Sequence, residues 1–233
     1  MVKSFFARLA DFNKSLRANG IVETTKIIMS TLADAHYDKS IGMSTAEAKF
    51  VNSPLEYNGR KIKGSYYLPT RGRPFLQFLK ANNFSKSMTF VDIGCGRGRV
   101  LWLAKEYGFK KVVGVEIDEE LATQARNNLL SKGLKEHLEF NVTAMNVCDY
   151  VPESDQNLYY FYGPYISEAD LKKAVVALAK KKQQSGLDQF IAFHCNLHNE
   201  TPLDRFDEVI KLSDSRFFGN RFFLYKLAPV TRR

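Results

Sequence analysis

Long apolar runs are missing from this 233-residue chain. No stretch approaches the roughly 20 consecutive apolar residues of a bilayer-crossing helix, so no transmembrane segment is expected. Cysteine is scarce: Cys95, Cys148 and Cys195 are odd in number and fall in or beside predicted strands. That excludes a disulfide frame and reads as reduced core thiols. Only His194 and His198 lie near one another, with no acid or third histidine beside them. A polar strand end is the reading for both, with His194 at the tip of a strand from which a site could be reached, and no metal site is expected. The opening Met-Val-Lys-Ser-Phe-Phe-Ala-Arg is broken by charges and lacks a signal-peptide core, which points to a cytoplasmic protein. Internal repeats and low-complexity tracts are absent as well.

What is present in excess is positive charge, formally +9 with a pI of about 9.4. Such a balance favours acidic partners, nucleic acid among them. The lysines are scattered, however, and the run Lys180-Lys181-Lys182 sits near a predicted helix end, where it complements the dipole. A nucleic-acid-binding module would need clustered arginines interleaved with stacking aromatics. The aromatics here fall mostly in strands and on amphipathic faces, so that class stands as an alternative. A salt-dependent gel shift separates it from an enzyme.

One stretch, Phe90 to Asp118, organises the rest. An apolar run ends in Asp92, and glycines recur at Gly94, Gly96 and Gly98. A helical pattern carrying Val100, Leu101, Leu103 and Ala104 stops at Gly108, and a second apolar run, Val112 to Val115, ends in Glu116. Strand, glycine loop, helix, strand and acid form a parallel β-α-β unit with a ligand at its strand tips. The glycines permit sharp turns and close approach. The helix N-terminus offers free N–H groups. A carboxylate at Glu116 can accept both hydroxyls of a ribose.

Two nucleotide-type ligands compete for such a loop. Dinucleotide binders place their third glycine three residues after the second, where this chain has Arg99. An acid also precedes the first glycine, where it would repel a pyrophosphate. A cationic or zwitterionic ligand tolerates Asp92 better. The pattern Asp92-x-Gly94-x-Gly96-x-Gly98 with the later Glu116 resembles the class I S-adenosylmethionine-dependent methyltransferases. The resemblance covers about residues 64–228. It divides the chain into a helical N-terminal extension and loop, 1–63, and a methyltransferase domain, 64–233. It implies S-adenosyl-L-methionine as cofactor, held by Asp92, Gly94, Gly96, Gly98 and Glu116.

The flanking segments extend the comparison. Residues 64–75, Gly-Ser-Tyr-Tyr-Leu-Pro-Thr-Arg-Gly-Arg-Pro-Phe, lead into a predicted helix, Phe75 to Lys80. Tyr67-x-Pro69-Thr70 is similar to the segment of a branch containing Dot1-like and mitochondrial-type lysine methyltransferases. There it folds over the methionine end of the cofactor, which implies cofactor contacts for Tyr67 and Thr70. A proline-fixed turn serves the bland reading equally. Counting back from the fourth strand, Asn146 falls where the family has Asp at the adenine, with Asp149 as the alternative. After that strand, Tyr162-Gly163-Pro164-Tyr165 keeps the family's proline and aromatic but has glycine where a polar side chain is usual. Tyr162, Pro164 and Tyr165 are the candidates for the reacting end. Methyl transfer is an in-line displacement that needs positioning and an unprotonated nucleophile, so no catalytic triad is expected.

The remaining pattern completes an α/β, Rossmann-like fold: a seven-stranded, mostly parallel sheet with a terminal antiparallel hairpin, plus the N-terminal helices. Residues 1–36 read as two helices, the first with Phe5, Phe6, Leu9, Phe12 and Leu16 on one face, the second from Val22 to Ala35. They cap their own domain or a partner copy in a homodimer. Residues 37–74 read as loop-rich. Asp118 caps a helix to about Lys132, Ser167-x-x-Asp170 opens another, and strands are expected at Leu138–Val142, Leu158–Tyr162 and Gln189–Cys195. Thr201-Pro202-Leu203-Asp204 reads as a helix start with Phe206, Val209 and Ile210 facing inward, and Gly219-Asn220 as a two-residue hairpin turn. The acceptor classes left open are a protein lysine amine, a small-molecule nitrogen or oxygen, and none at all in an inactive cofactor-binding scaffold.

Overall fold

The computed structural model describes residues 20–22, 24–26, 28–29, 32–34, 36–37, 40–43, 45, 49–50, 55–57, 60–62, 66–67, 69–152, 157–162, 168–182, 187–196 and 203–228. Seven strands make one sheet: β1 Thr89–Ile93, β2 Lys111–Glu116, β3 Phe140–Ala144, β4 Asn157–Tyr162, β5 Phe190–Asn196, β6 Val209–Phe217 and β7 Asn220–Leu227. Their spatial order is β6-β7-β5-β4-β1-β2-β3. β5, β4, β1, β2 and β3 run parallel, and β6 and β7 close the edge antiparallel. Among the described residues, four helices pack on the sheet: α1 Gly72–Asn82, α2 Arg99–Tyr107, α3 Glu119–Leu130 and α4 Glu168–Lys182.

The central strands β1, β2 and β4 are buried on both faces while the edge strand β6 is open to solvent, and the buried side chains alternate between two cores. Phe90, Tyr160, Phe222 and Leu224 face a core built with Phe75 and Phe78 of α1, Leu101 of α2 and Ala125 of α3. Their neighbours Val91, Tyr159, Phe161, Phe223 and Tyr225 face Leu171, Val175 and Leu178 of α4. The expected apolar faces of α2 and α4 are therefore the buried ones. Asp118 caps α3, accepting from the N–H groups of Glu120 and Leu121 at 2.9 and 3.1 Å. Cys95, Cys148 and Cys195 take part in no disulfide.

The described residues between Gly20 and Ile41 are helical apart from the turn that follows. Their C-terminal part caps the domain: Asp34 Oδ1 accepts from the Gly72 N–H at 3.0 Å, and the Trp102 indole N–H reaches Tyr37 Oη at 3.0 Å. Ile21, Val22, Met29 and Leu32 are exposed. The first predicted helix lies outside the described residues, as do Ser167, Gly186 and His198.

Within the loop-rich stretch 37–74, Lys49–Phe50 pairs antiparallel with Tyr66–Tyr67, and Leu55–Tyr57 with Arg60–Ile62. Two expectations need correction. Residues 203–208 form turns, with Phe206 N–H bonded to Leu203 O and Val209 N–H to Phe206 O. Val209 then starts β6, because β-branched Val209-Ile210 joins the β7 ladder, and Ile210 is 54% exposed instead of inward. The hairpin turn is Phe218-Gly219, one residue early, with φ of 47° and 70°. Asn220 pairs with Phe217 inside the ladder, because its side chain is held by the core.

Gly114, in the middle of β2, marks the tightest approach in the β-α-β unit. A Cβ there would lie 2.7 Å from Cys95 Sγ and 2.8 Å from Leu101 Cδ1. Overpacking of this kind costs about 1–3 kcal/mol. Gly114→Ala should lower the urea midpoint accordingly with the slope unchanged, read by circular dichroism. A wild-type midpoint would show that α2 does not press on the strand there.

Candidate functional site

At the tips of the parallel strands the chain gathers its buried carboxylates. β1 ends at Ile93, and the loop that follows is held to β2: the N–H groups of Gly94 and Cys95 donate to Val115 O at 2.7 and 3.2 Å. Gly94 has φ +80°, a conformation that suits glycine, and open space where a Cβ would stand. Glu116, 8% exposed, closes the loop from the other side. Its Oε2 accepts from the Gly96 N–H at 2.8 Å, and its Oε1 from the N–H groups of Ile117 at 2.8 Å and Asp118 at 3.1 Å. Burial raises the Glu116 pKa and these three donors oppose it. A carboxylate has about four lone-pair positions. Three are in use, so gripping two ribose hydroxyls requires at least one backbone donor to yield.

Asp92 differs. It is 3% exposed, and among the described residues no hydrogen-bond donor reaches its carboxylate. Burial raises its pKa well above the ordinary carboxylate value, and the nearby Glu116 charge adds to the rise. A buried, donor-free carboxylate beside an open glycine loop is costly to the empty fold and complementary to a cation.

The strand order sets out the other candidates in line. Beyond β3, next to Glu116, Asn146 caps a short 3₁₀ turn, its Oδ1 accepting from the Cys148 N–H at 2.9 Å, while Asp149 is exposed. On the other side of β1 lies β4, with Tyr160 level with Asp92 and Tyr162 at the tip. Thr70, 5% exposed, brings the preceding segment onto β4 through a 3.0 Å bond between its hydroxyl and Tyr160 Oη. Of Tyr67 the structure describes the backbone pairing with Lys49, and Pro164 and Tyr165 lie outside the described residues.

A buried polar chain continues behind these residues. Tyr160 Oη lies 2.7 Å from His194 Nδ1, and His194 Nε2 lies 3.0 Å from Asn220 Oδ1. The Asn220 amide N–H₂ donates to Phe218 O at 2.8 Å, which turns Oδ1 toward the histidine. His194 therefore carries its proton on Nε2, accepts from Tyr160 at Nδ1, and leaves Tyr160 Oη to accept from Thr70. Burial holds His194 neutral, with its pKa lowered to about 3. Its ring stacks on Tyr162 at 4.7 Å and on Phe222 at 4.2 Å. The expected polar strand end is thus a wholly buried one. Sequence reading passed over Tyr160, Asn220 and Arg71. Asn220 carried a signal, a polar residue in an apolar run, but was read as a turn.

The order of parts, Asp92, a three-glycine loop, a helix, Glu116 at the second strand tip and an antiparallel closing pair, agrees with the comparisons. A family described as a methyltransferase domain matches residues 90–181. That stretch is a class I S-adenosylmethionine-dependent methyltransferase domain. The chain is 34% identical over 104 residues to a tRNA (guanine-N(7)-)-methyltransferase of Campylobacter fetus, covering 44% of this chain and 26% of that protein. It is 35% identical over 69 residues to a protein-lysine N-methyltransferase of Saccharolobus islandicus, covering 29% and 43%. The chain thus spans less than half the length of these curated relatives. Among solved structures, an RNA methyltransferase from Salinibacter ruber in complex with S-adenosyl-L-homocysteine shares the fold with a TM-score of 0.54 and 17% identity, over 71% of this chain and 97% of that one. A putative methyltransferase from Escherichia coli does so with a TM-score of 0.53 and 14% identity, over 74% and 97%. Among the described residues no group of His, Cys, Asp and Glu converges to hold a metal, and no helix is long and apolar enough to cross a membrane.

The methyltransferase cofactor fits the residues present. A donor-free buried Asp92 suits its cationic end, the open side of Gly94 leaves room for its body, and Glu116 stands where a ribose can be gripped. The raised Asp92 pKa has a consequence for the ligand-free protein. A carboxyl whose folded pKa exceeds its unfolded value, about 3.9, contributes stability below that value and loses it as pH rises through the folded pKa. Asp92→Asn removes the charge that causes the loss. The variant should have a higher urea midpoint than wild type at pH 7, and the difference should vanish near pH 4. Equal midpoints at pH 7 would mean that Asp92 is ionised without cost.

Proposed function

We propose that the protein transfers the methyl group of S-adenosylmethionine to a nucleophilic acceptor, and that this acceptor is a lysine amine of a protein. The observation that carries the reading is Asp92, a buried carboxylate with no donor of its own, at the mouth of the glycine loop and one strand from Glu116. The cofactor supplies an electrophilic methyl group on a sulfonium sulfur. The chain supplies the rest. Glu116 accepts the ribose hydroxyls. Backbone at Gly94, Gly96 and Gly98 admits the ligand without side-chain clash. Asn146 lies past the β3 tip, where its amide can meet the adenine, with Asp149 as the alternative. By the family resemblance, Thr70 and Tyr67 belong to the segment assigned to the methionine end, and Tyr162, Pro164 and Tyr165 are the residues assigned to the reacting end.

An amine must lose its proton before it attacks, and lysine's unperturbed pKa is about 10.4. No carboxylate base is needed if the surroundings disfavour the ammonium. The Tyr162 ring, stacked on the buried His194, offers an apolar wall, and the Arg71 guanidinium interacts electrostatically with Tyr162. A positive charge there favours the neutral amine. The protein-lysine relative lends the acceptor class support. The tRNA relative and the net charge of +9 support RNA as a second acceptor class.

Calorimetry should show binding of S-adenosylhomocysteine and none of NAD. Charge-assisted hydrogen bonds contribute about 1.5–3 kcal/mol each. Glu116→Ala should therefore weaken binding at least about tenfold in a protein whose circular dichroism is unchanged. Wild-type affinity in that variant would overturn the cofactor reading. For the acceptor, methyl-labelled cofactor and lysate from a strain lacking the protein should give label in the protein fraction, on lysine. Label confined to RNA or to small molecules would overturn the lysine proposal and leave methyl transfer standing.

A further inference from the structure

The described helical residues between Gly20 and Ile41 turn their apolar side to solvent. Ile21, Val22, Ile28, Met29 and Leu32 are spaced to share one face of the helix, and the Thr25 hydroxyl on that face bonds back to Ile21 O at 2.8 Å. The five large apolar side chains are between 40% (Ile28) and 71% (Ile21) exposed. The side turned to the domain is the polar one. Thr24 is buried, and Asp34 takes the Gly72 N–H at 3.0 Å and pairs with Arg99 Nη2 at 3.1 Å. Tyr37 adds to the anchor through Trp102 and Glu106. An ordinary surface helix buries its apolar stripe and shows its polar one. Here polar contacts fix the helix to the fold and leave a strip of apolar side chains uncovered, roughly 16 Å long at 1.5 Å per residue. Single exposed apolar side chains need no explanation, but a contiguous stripe marks a contact surface.

The make-up of the stripe and the charge around it point to what it contacts. Specific protein interfaces are anchored by aromatic residues and arginine. The stripe offers only aliphatic side chains and Met29. A second copy of the chain brings the same formal charge of +9, so two copies repel one another at long range. An anionic surface is attracted instead. The sequence around the stripe shares that sign: residues 1–33 hold Lys3, Arg8, Lys14, Arg17 and Lys26 against the acids Asp11 and Glu23. An aliphatic face accompanied by basic side chains is the pattern of a helix that lies among lipid headgroups, its long cationic side chains reaching the phosphates.

We propose that this helix binds the surface of an anionic lipid bilayer, with Ile21, Val22, Ile28, Met29 and Leu32 entering the boundary between headgroups and acyl chains. The stripe is one-sided, so the helix lies along the surface and does not cross it. Asp34 and Tyr37 join it to the start of α1 and to α2, which holds the catalytic domain beside the bilayer. The proposal concerns where the protein works and stands for any acceptor.

The test is flotation of the full chain with vesicles. Wild type should bind phosphatidylcholine vesicles containing about one quarter phosphatidylglycerol at least about tenfold more tightly than pure phosphatidylcholine, and salt at about 0.5 M should remove most of that difference. The triple variant Val22→Gln, Met29→Gln, Leu32→Gln replaces exposed side chains, so its circular dichroism should match wild type. Its binding to the mixed vesicles should fall at least about tenfold. Wild-type binding by that variant would overturn the proposal, by showing that charge alone holds the vesicle. Absence of wild-type binding to the mixed vesicles would overturn it as well. A wild type that sediments as a dimer and a variant that sediments as a monomer, neither binding vesicles, would assign the stripe to a second copy of the chain.

Discussion

The hydrogen bond from the Gly96 N–H to Glu116 Oε2, 2.8 Å long, holds the site in its shape. It ties the turn after β1 to the end of β2, and the other oxygen of the same carboxylate gathers the N–H groups of Ile117 and Asp118. Asp118 then caps α3. One buried acid therefore fixes the glycine loop, the end of the second strand and the start of the following helix. Its burial would be prohibitive without those donors, since an unpaired buried carboxylate protonates instead. The price of this economy is that its acceptor positions are nearly full before any ligand arrives. A ribose must compete with the backbone for the same oxygen atoms. Binding and loop geometry are consequently coupled at Glu116.

A second constraint runs through the other half of the sheet. Thr70, Tyr160, His194 and Asn220 come from four separate segments and satisfy one another in a single directed chain of hydrogen bonds. Because Asn220 also bonds Phe218 O, the direction of every proton in the chain is determined. Buried polar groups of this kind hold a unique packing arrangement when all are satisfied. Here they lock the segment carrying Thr70 and Arg71 against β4 and anchor the closing hairpin to β5. The aromatic stack of Tyr162, His194, Phe222 and Phe78 lies along the same line.

The β-α-β unit was legible because all its determinants lie within 29 residues, Phe90 to Asp118, and each acts on its neighbours. Asp92, the glycines and Glu116 occupy the places that their spacing implied. What escaped was decided at long range. The motif Thr201-Pro202-Leu203-Asp204 has the local chemistry of a helix start, yet pairing with β7 drew Val209 into a strand. Gly219-Asn220 has the local chemistry of a turn, yet His194, 26 residues away, drew Asn220 into the sheet. Asn146 sits where an adenine contact was counted, but its oxygen already caps a turn. Arg71 lay inside the quoted stretch 64–75 and passed unnoticed.

The charge of the site and the charge of the chain have opposite signs, and that separates two roles. The chain carries +9, but the glycine loop is flanked by two buried acids, Asp92 and Glu116. A dinucleotide would have to place a pyrophosphate against Asp92, a residue whose carboxyl already resists ionising because of burial and because of Glu116. A sulfonium and an ammonium relieve both penalties at once. The positive charges therefore do not recruit the nucleotide ligand. Among the described residues all of them but Arg99 reach the surface, where long-range attraction acts on a macromolecule and is screened by salt within about 10 Å at 0.1 M. In the proposed reaction their counterpart is the acceptor. Under that proposal a protein with acidic residues beside its lysine, or an RNA, would meet them, so that the interior charges act on the cofactor and the exterior charges on what is brought to it.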